Sequence, residues 1–291
     1  MTNSASIRTY QEYEFSDRML IFAHQRLYHE RQSGTYGEAR SGSVSRRGFK
    51  SREVLYSQLI LRYEAHVVHY SQRQLTYPDD VLNAFTAVME DETAKAGTVF
   101  CWGLPIQSFL RALLWCQRHK LSTDVERFRR RSGSCQVSFP SWSWAGWIGG
   151  VRYDLSDKLR PVEDRVHFVI AWPWDTGYDI ETPSNPFTTG TLSLRVQIAE
   201  VDLAGVAPDE SHEYIFSFDL QEPPSMRVQC LLVGIVHETS ALDPRDLTEC
   251  THIVLAVELD AEGIYRRTGR LRLEKSHWEA SKPVTQIIKF G

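Results

Sequence analysis

Between Phe139 and Trp147 the chain reads FPSWSWAGW, which places three of its eight tryptophans within six residues. Each such ring buries about 150–250 Å² when packed, so the segment demands a thick covering layer around itself. Period two puts Trp142 and Trp144 on one face of a strand, with Ser141 and Ser143 on the other. Trp147 then points the wrong way, unless a bulge at Ala145-Gly146 adds a residue and restores the face. Two roles suit three clustered rings: filling the seam between two sub-domains, or forming a stacking platform for a sugar or a base. The seam takes precedence, because large rings dominate cores and no convergent polar cluster accompanies these three.

The rest of the chain must supply that covering layer. Its 291 residues suffice for one large domain or two modest ones. An apolar fraction of 42% and a charged fraction of 24% belong to a soluble globular protein. A net charge of −4 gives no electrostatic reason to expect nucleic acid or an anionic membrane as partner. The five cysteines, Cys101, Cys116, Cys135, Cys230 and Cys250, are scattered, odd in number and free of any C-x-x-C spacing. That suits a reducing compartment with small buried thiols rather than a disulfide framework or a zinc ribbon. The N-terminal MTNSASIRTYQEYEF lacks the apolar core of a secretory signal, and no apolar run approaches a membrane span. The expected location is therefore the cytoplasm.

Patterning divides the chain. MLIF and LYHE read as two short strands around a polar turn at His24-Gln25-Arg26. Residues 31–51 are Ser/Gly/Arg-rich and read as a flexible loop. Three helices are expected next. In the first, Leu55, Leu59, Tyr63, Val67 and Tyr70 form one apolar stripe. The second opens at TYPDD, where Thr76 and Asp79 have capping-box spacing, and buries Val81, Leu82, Phe85, Val88 and Met89. The third opens at Pro105 and buries Ile106, Phe109, Leu110, Leu113 and Leu114. Beyond residue 150 the period changes to two. Segments 166–172, 192–198, 214–220, 228–236, 252–259, 269–273 and 285–290 read as strands, with one short helix at His277–Ala280. The expected fold is α+β, a helical N-terminal half packed through the tryptophan motif on an antiparallel β-rich C-terminal half.

Candidate chemistry is sparse. His66 and His69 have a spacing that can share a metal, but no third ligand is apparent and no H-E-x-x-H is present, so no metal is expected. Arg127, Arg129, Arg130 and Arg131 form a basic run in an acidic chain and read as a solvated loop. Asp79 and Asp80 are explained by a helix start, where acidic groups complement the dipole. No nucleophile elbow, P-loop or dinucleotide fingerprint occurs.

Four blocks in order, TYQEYEFSDRMLIF, YSQRQLTYPDDVLNAF, FCWGLPIQSFLRALLW and FPSWSWAGWIGGVRY, resemble fungal heterokaryon-incompatibility (HET) domain proteins. Tyr265-Arg266-Arg267, Trp278-Glu279 and Ile287 to Gly291 resemble the closing pattern of the same family. In the first block Thr9, Tyr10, Gln11 and Glu12 match, whereas Arg8 and Ser6 stand where the family has tryptophan and arginine. The family's upstream W-I-D-x-x-C-I-N-Q signature is not found, so the resemblance implies the C-terminal part of a HET protein, from a truncated gene model or a degenerate paralogue. It divides the chain into a HET remnant (1–30), the loop (31–51), a helical region ending in PSWSWAGW (52–150) and a β-rich domain (151–291). The implied function is non-self recognition and regulated cell death, carried out as an interaction or regulatory region rather than as an enzyme. The implied partners are other incompatibility proteins or the chain's own missing HET region, with no nucleic acid, no membrane and no cofactor. Two alternatives remain. One is a TIR-like NAD-cleaving enzyme with Glu12 as catalytic residue and a pocket completed by a partner or a missing segment. The other is a carbohydrate-binding β module with Trp142, Trp144 and Trp147 as its platform.

Overall fold

The computed structural model describes residues 18–23, 26–31, 34–37, 52–73, 75, 77–117, 129–131, 138–153, 159–161, 167–168, 186–203, 227–238 and 249–291. The fold is α+β, and the chain divides into two units, Met1–Gly97 and Thr98–Gly291. The division falls at Gly97 rather than near residue 150. The described residues between Thr98 and Gly150, expected to belong with the helices, fall instead in the β-rich unit, through bonds described below.

In the first unit β1 (Arg18–Ala23) and β2 (Arg26–Arg31) form the expected hairpin. A third strand, β3 (Gly34–Gly37), pairs with β2 and corrects the reading of residues 31–51 as loop throughout. Ladder bonds are made by the backbone, so a segment poor in apolar side chains can still add to a sheet edge. The remainder of that loop lies outside the described residues. Helix α1 (Arg52–Ser71) follows the apolar stripe, with Tyr63, Val67 and Tyr70 buried.

The second expected helix begins differently. Pro78–Val81 and Asn83–Phe85 are 3₁₀ turns, and α2 proper runs only from Thr86 to Ala96. Pro78 sits in the first turn, where its missing N–H costs nothing. Tyr77 is the N-cap and makes no side-chain capping bond, and Thr76 lies outside the described residues. Val81, Phe85 and Val88 are buried as expected, whereas Leu82 and Met89 are half-buried. The Tyr70 hydroxyl ties α1 to this segment by donating to the Val81 carbonyl at 2.7 Å. Arg62 of α1 bridges Asp91 and, at 3.2 Å, Glu92 of α2.

The second unit opens with a hairpin, β4 (Phe100–Cys101) and β5 (Leu104–Pro105). Its two-residue turn holds Trp102 at φ +50° and Gly103 at φ +84°. Both must be left-handed for the strands to close, and a bulky residue seldom accepts that conformation. The third expected helix shrinks to a 3₁₀ turn (Ile106–Ser108) and one α turn, α3 (Phe109–Ala112). Short strands follow: β6 (Cys116–Gln117), β7 (Arg129–Arg130), β8 (Trp147–Ile148) and β9 (Val151–Arg152), paired β6–β9 and β7–β8. Next come β10 (Leu159–Pro161), β11 (His167–Phe168) and a single turn α4 (Pro186–Thr189).

The period-two segments build a closed ring. β12 (Leu192–Asp202), β13 (Arg227–Glu238), β14 (Glu249–Leu259) and β15 (Tyr265–Glu274) form an antiparallel meander. Helix α5 (Lys275–Ala280) then leads to β16 (Val284–Phe290). β16 returns to pair antiparallel with β12 and touches β15 in parallel at one position, Tyr265–Phe290, which closes a five-stranded barrel. Short β10 and β11 lengthen the sheet beside β13 and β12. Ala199, Val201, Cys230, Leu232, Val254, Ala256, Leu271 and Leu273 meet in one core, and Trp278 of α5 packs into it. Segment 214–220, read as a strand, lies outside the described residues.

Candidate functional site

The tryptophan motif is not a strand. Ser141 to Ser143 form a turn, Trp144 to Gly146 a 3₁₀ turn, and only Trp147 enters a ladder. Alternation therefore does not sort the rings: Trp142, Trp144 and Trp147 are 0%, 2% and 4% exposed, as enclosed as the serines between them. The Ser143 hydroxyl accepts from the Ala145 N–H at 3.1 Å and sets the 3₁₀ turn, as a helix cap does. Gly146 is required there. A Cβ would lie 2.8 Å from the Pro140 carbonyl and 2.7 Å from an Arg130 nitrogen.

Irregular buried backbone must find partners outside a ladder. Here they come from indoles, hydroxyls and guanidiniums. The indole N–H groups of Trp115, Trp142 and Trp147 donate to the carbonyls of Trp142, Gly190 and Ser141, each at 2.9 Å. Ser143 donates to the Trp102 carbonyl at 2.6 Å, pinning the left-handed residue of the β4–β5 turn. Gly190 is left-handed too, at φ +67°, and approaches the Pro140 ring so closely that a Cβ would lie 2.9 Å from it. Ring contacts fill the remaining space: Phe109 meets Trp142 edge-on at 5.3 Å, Trp102 meets Phe139 at 5.8 Å, and Trp115 meets Trp147 at 6.0 Å.

The basic run is no solvated loop. Arg129 and Arg130 pair with Ile148 and Trp147 in β7–β8. Arg130 donates to the Phe139 carbonyl at 2.8 Å and lies over the Trp147 ring at 5.1 Å. Arg131 donates to the carbonyls of Ala145 and Trp147, each at 3.0 Å. Arg127 lies outside the described residues, and Arg129 is the exposed member.

Two further arginines complete the cluster from the barrel side: Arg267, which belongs to the closing block of the family resemblance, and Arg270, which nothing in the sequence marked out. Arg267 and Arg270 of β15 are 1% and 3% exposed. Three apart, they would face opposite sides of a regular strand. The register slips between Ala256 and Val257 of β14, however, leaving Thr268 as an extra residue, and the bulge returns both to one side. Four successive carbonyls at the end of α3 then each meet a side-chain donor. Ala112 accepts from the Tyr153 hydroxyl at 3.2 Å, Leu113 and Trp115 from Arg267, and Leu114 from Arg270. Only Ala112 belongs to α3; the other three carbonyls follow it in irregular backbone, which must also find partners. The Arg267 guanidinium also lies 3.7 Å from the centre of the Trp115 ring. Burial, with Arg270 acting in the same sense, pushes its pKa down to about 9, so it remains charged at neutral pH.

Ser141 joins the cluster to the chain's last residues. Its hydroxyl accepts from the Arg267 N–H at 2.7 Å and donates to the Gly291 carbonyl. Gly291 in turn donates its N–H to Tyr265 at 3.0 Å.

Burial pushes the Cys101 and Cys230 thiols up to about 12, so both are protonated at neutral pH. His66 is buried and His69 exposed, and no group of three or more metal-ligating residues occurs among the described residues. Asp79 is half-buried and Asp80 exposed, where it accepts from Asn83 at 3.3 Å. Glu12 lies outside the described residues. The enclosed rings offer no face for a sugar, which removes the geometric basis of the platform reading. No helix among the described residues is long and apolar enough to cross a membrane. No protein-family model, no curated protein and no solved structure matches the chain.

Proposed function

We propose that the chain is part of a fungal heterokaryon-incompatibility protein, acting in the cytoplasm in non-self recognition and regulated cell death as an interaction and regulatory region. One observation supports this reading above the others. Blocks that carry the family resemblance, Trp102 to Pro105, Pro140 to Trp147, Tyr265 to Arg267 and the end of β16, lie far apart in sequence yet meet in one hydrogen-bonded cluster. The polar side chains of those blocks bond to backbone: Ser143 to Trp102, Ser141 to Arg267 and Gly291, and Arg267 to Leu113 and Trp115. A motif set bonded in this way builds a scaffold whose outer surface is left for partners. The partners it suits are other incompatibility proteins or the family's own HET region.

The test is expression of the full chain in a filamentous fungus, scoring cell death at fusion with a vital dye, beside Glu12→Gln. In parallel, NAD consumption by the purified chain is followed by chromatography. An interaction region alters the frequency of death, does so equally with Glu12→Gln, and leaves NAD intact. NAD turnover abolished by Glu12→Gln would transfer the assignment to an enzyme. Unchanged viability in every fusion pair would remove the incompatibility reading altogether.

A further inference from the structure

β16 is bound to its barrel asymmetrically. Along one side it pairs with β12 from Val284–Ile198 to Phe290–Leu192. Along the other it meets β15 only at Tyr265–Phe290. Val284 to Ile287 are all exposed, Val284 at 58% and Ile287 at 67%. Only the far end is deeply held, with Phe290 at 0% exposure and Gly291 bonded to Ser141 and Tyr265. The preceding helix has its own anchor: Trp278 is 1% exposed, packs into the barrel core, and its indole N–H reaches Gln197 at 3.4 Å. The two anchored pieces are joined by Ser281, Lys282 and Pro283 alone.

That joint is strained. Lys282 sits at φ +51°, in the left-handed region that favours glycine. It also precedes a proline, whose ring disfavours helical backbone at the residue before it and favours an extended one. The local preference of Lys282-Pro283 is therefore extended, and the closed turn opposes it. The closed turn's own bond, Lys282 N–H to the Glu279 carbonyl at 3.0 Å, lies at an exposed helix end where water replaces it.

We propose that β16 is exchanged between two copies of this chain. With Lys282-Pro283 extended, each β16 leaves its own barrel and occupies the same place beside β12 in the other copy. Every contact of β16 and Gly291 is then remade between chains, so the contacts nearly cancel and hinge strain favours the exchanged pair. The occupant of the β12 edge is thus a second β16. The inference is independent of the incompatibility reading, because it rests on the hinge and the barrel alone.

The register supplies the experiment. Arg195 and Ile287 are ladder partners and both are exposed, so Arg195→Cys with Ile287→Cys places two thiols on the β12–β16 pair without touching the core. The full chain is concentrated, equilibrated and oxidised, with Ile287→Cys alone as control. Light scattering reports mass, and non-reducing electrophoresis reports which chains are joined. Exchange gives a dimer whose bonds run between chains in the double variant and not in the control. A chain that stays monomeric at millimolar concentration overturns the proposal, as does a dimer that yields only intrachain bonds. A dimer cross-linked equally in the control pairs edge to edge and overturns it too. Lys282→Gly relieves the closed hinge and should raise the dimer dissociation constant about fivefold per hinge, or about twenty-fivefold for the pair. An unchanged constant would show that hinge strain does not drive exchange, and the proposal would fall with it.

Discussion

The barrel and the tryptophan cluster are buried to a similar depth, yet their backbones are satisfied by different means. In the barrel, N–H and C=O groups pair along β12 to β16, which leaves the side chains free to be apolar. In and around the cluster regular pairing comes only in stretches of two residues, β4–β5, β6–β9 and β7–β8. Some of its other carbonyls are met by local backbone turns, but many are met by indoles, by Ser141 and Ser143, and by Arg130, Arg131, Arg267 and Arg270. A ladder depends on backbone and tolerates variety in its side chains. A backbone met by side chains depends on each residue that meets it. Substitution should therefore act differently in the two regions, and that difference can be measured.

The largest effect is expected at Trp144. Trp144→Ala in denaturant unfolding should cost about 3–5 kcal/mol, from lost burial plus the cavity left behind. A loss below about 1 kcal/mol would place that ring outside the load the cluster carries. Next is Arg267→Met, which keeps the bulk but strips donors from the Leu113 and Trp115 carbonyls. Each of the two buried orphans costs about 1–3 kcal/mol, so a total of roughly 2–6 kcal/mol is expected by the same measurement. A swap of similar character in the barrel, Leu271→Met, should cost less than about 1.5 kcal/mol, because volume is kept and no bond is lost. If Arg267→Met and Leu271→Met cost the same, the contrast between the two regions fails.

The smallest effect lies in the barrel's β14–β15 turn and depends on pH. Asp260 accepts from the Ile264 N–H at 2.8 Å, from the Arg266 side chain at 2.8 Å and from the Glu262 N–H at 2.9 Å. The Ile264 bond foremost, then the Arg266 and Glu262 bonds, holds its carboxyl below the usual aspartate value. A depressed acid contributes stability that is present above its unfolded pKa and lost as pH falls through its folded pKa. Melting temperature should therefore fall below about pH 4 in the parent chain and fall less in Asp260→Asn. Identical acid limbs would mean that the turn owes nothing to the charge.

The two regions were also unequally legible in sequence. β12 alternates Leu192, Leu194, Val196 and Ile198 with polar residues, and the fold repeats that alternation because ladder geometry has period two. The same rule misreads FPSWSWAGW, whose alternation of tryptophan and serine mimics a strand while Ser143 turns the chain into a 3₁₀ turn. α3 is shorter than its apolar pattern because Arg267, Arg270 and Tyr153 take the carbonyls that a longer helix would have used. Those donors lie 41 to 156 residues away, beyond the reach of any local pattern. Arg270 reads as an ordinary polar strand position and Arg267 only as part of the closing block of the family resemblance, since the bulge at Thr268 alone reveals that they share a face.

The contact between Trp115 and Trp147 has an optical consequence. Their ring centroids lie 6.0 Å apart with planes at 59°, and both rings are buried and hydrogen-bonded. Identical chromophores this close and this skewed share an excitation, so the two rings absorb as a coupled pair. Their circular dichroism should split into lobes of opposite sign. The chain thus carries an intrinsic signal for the integrity of its irregular region, distinguishable from the backbone signal of the barrel.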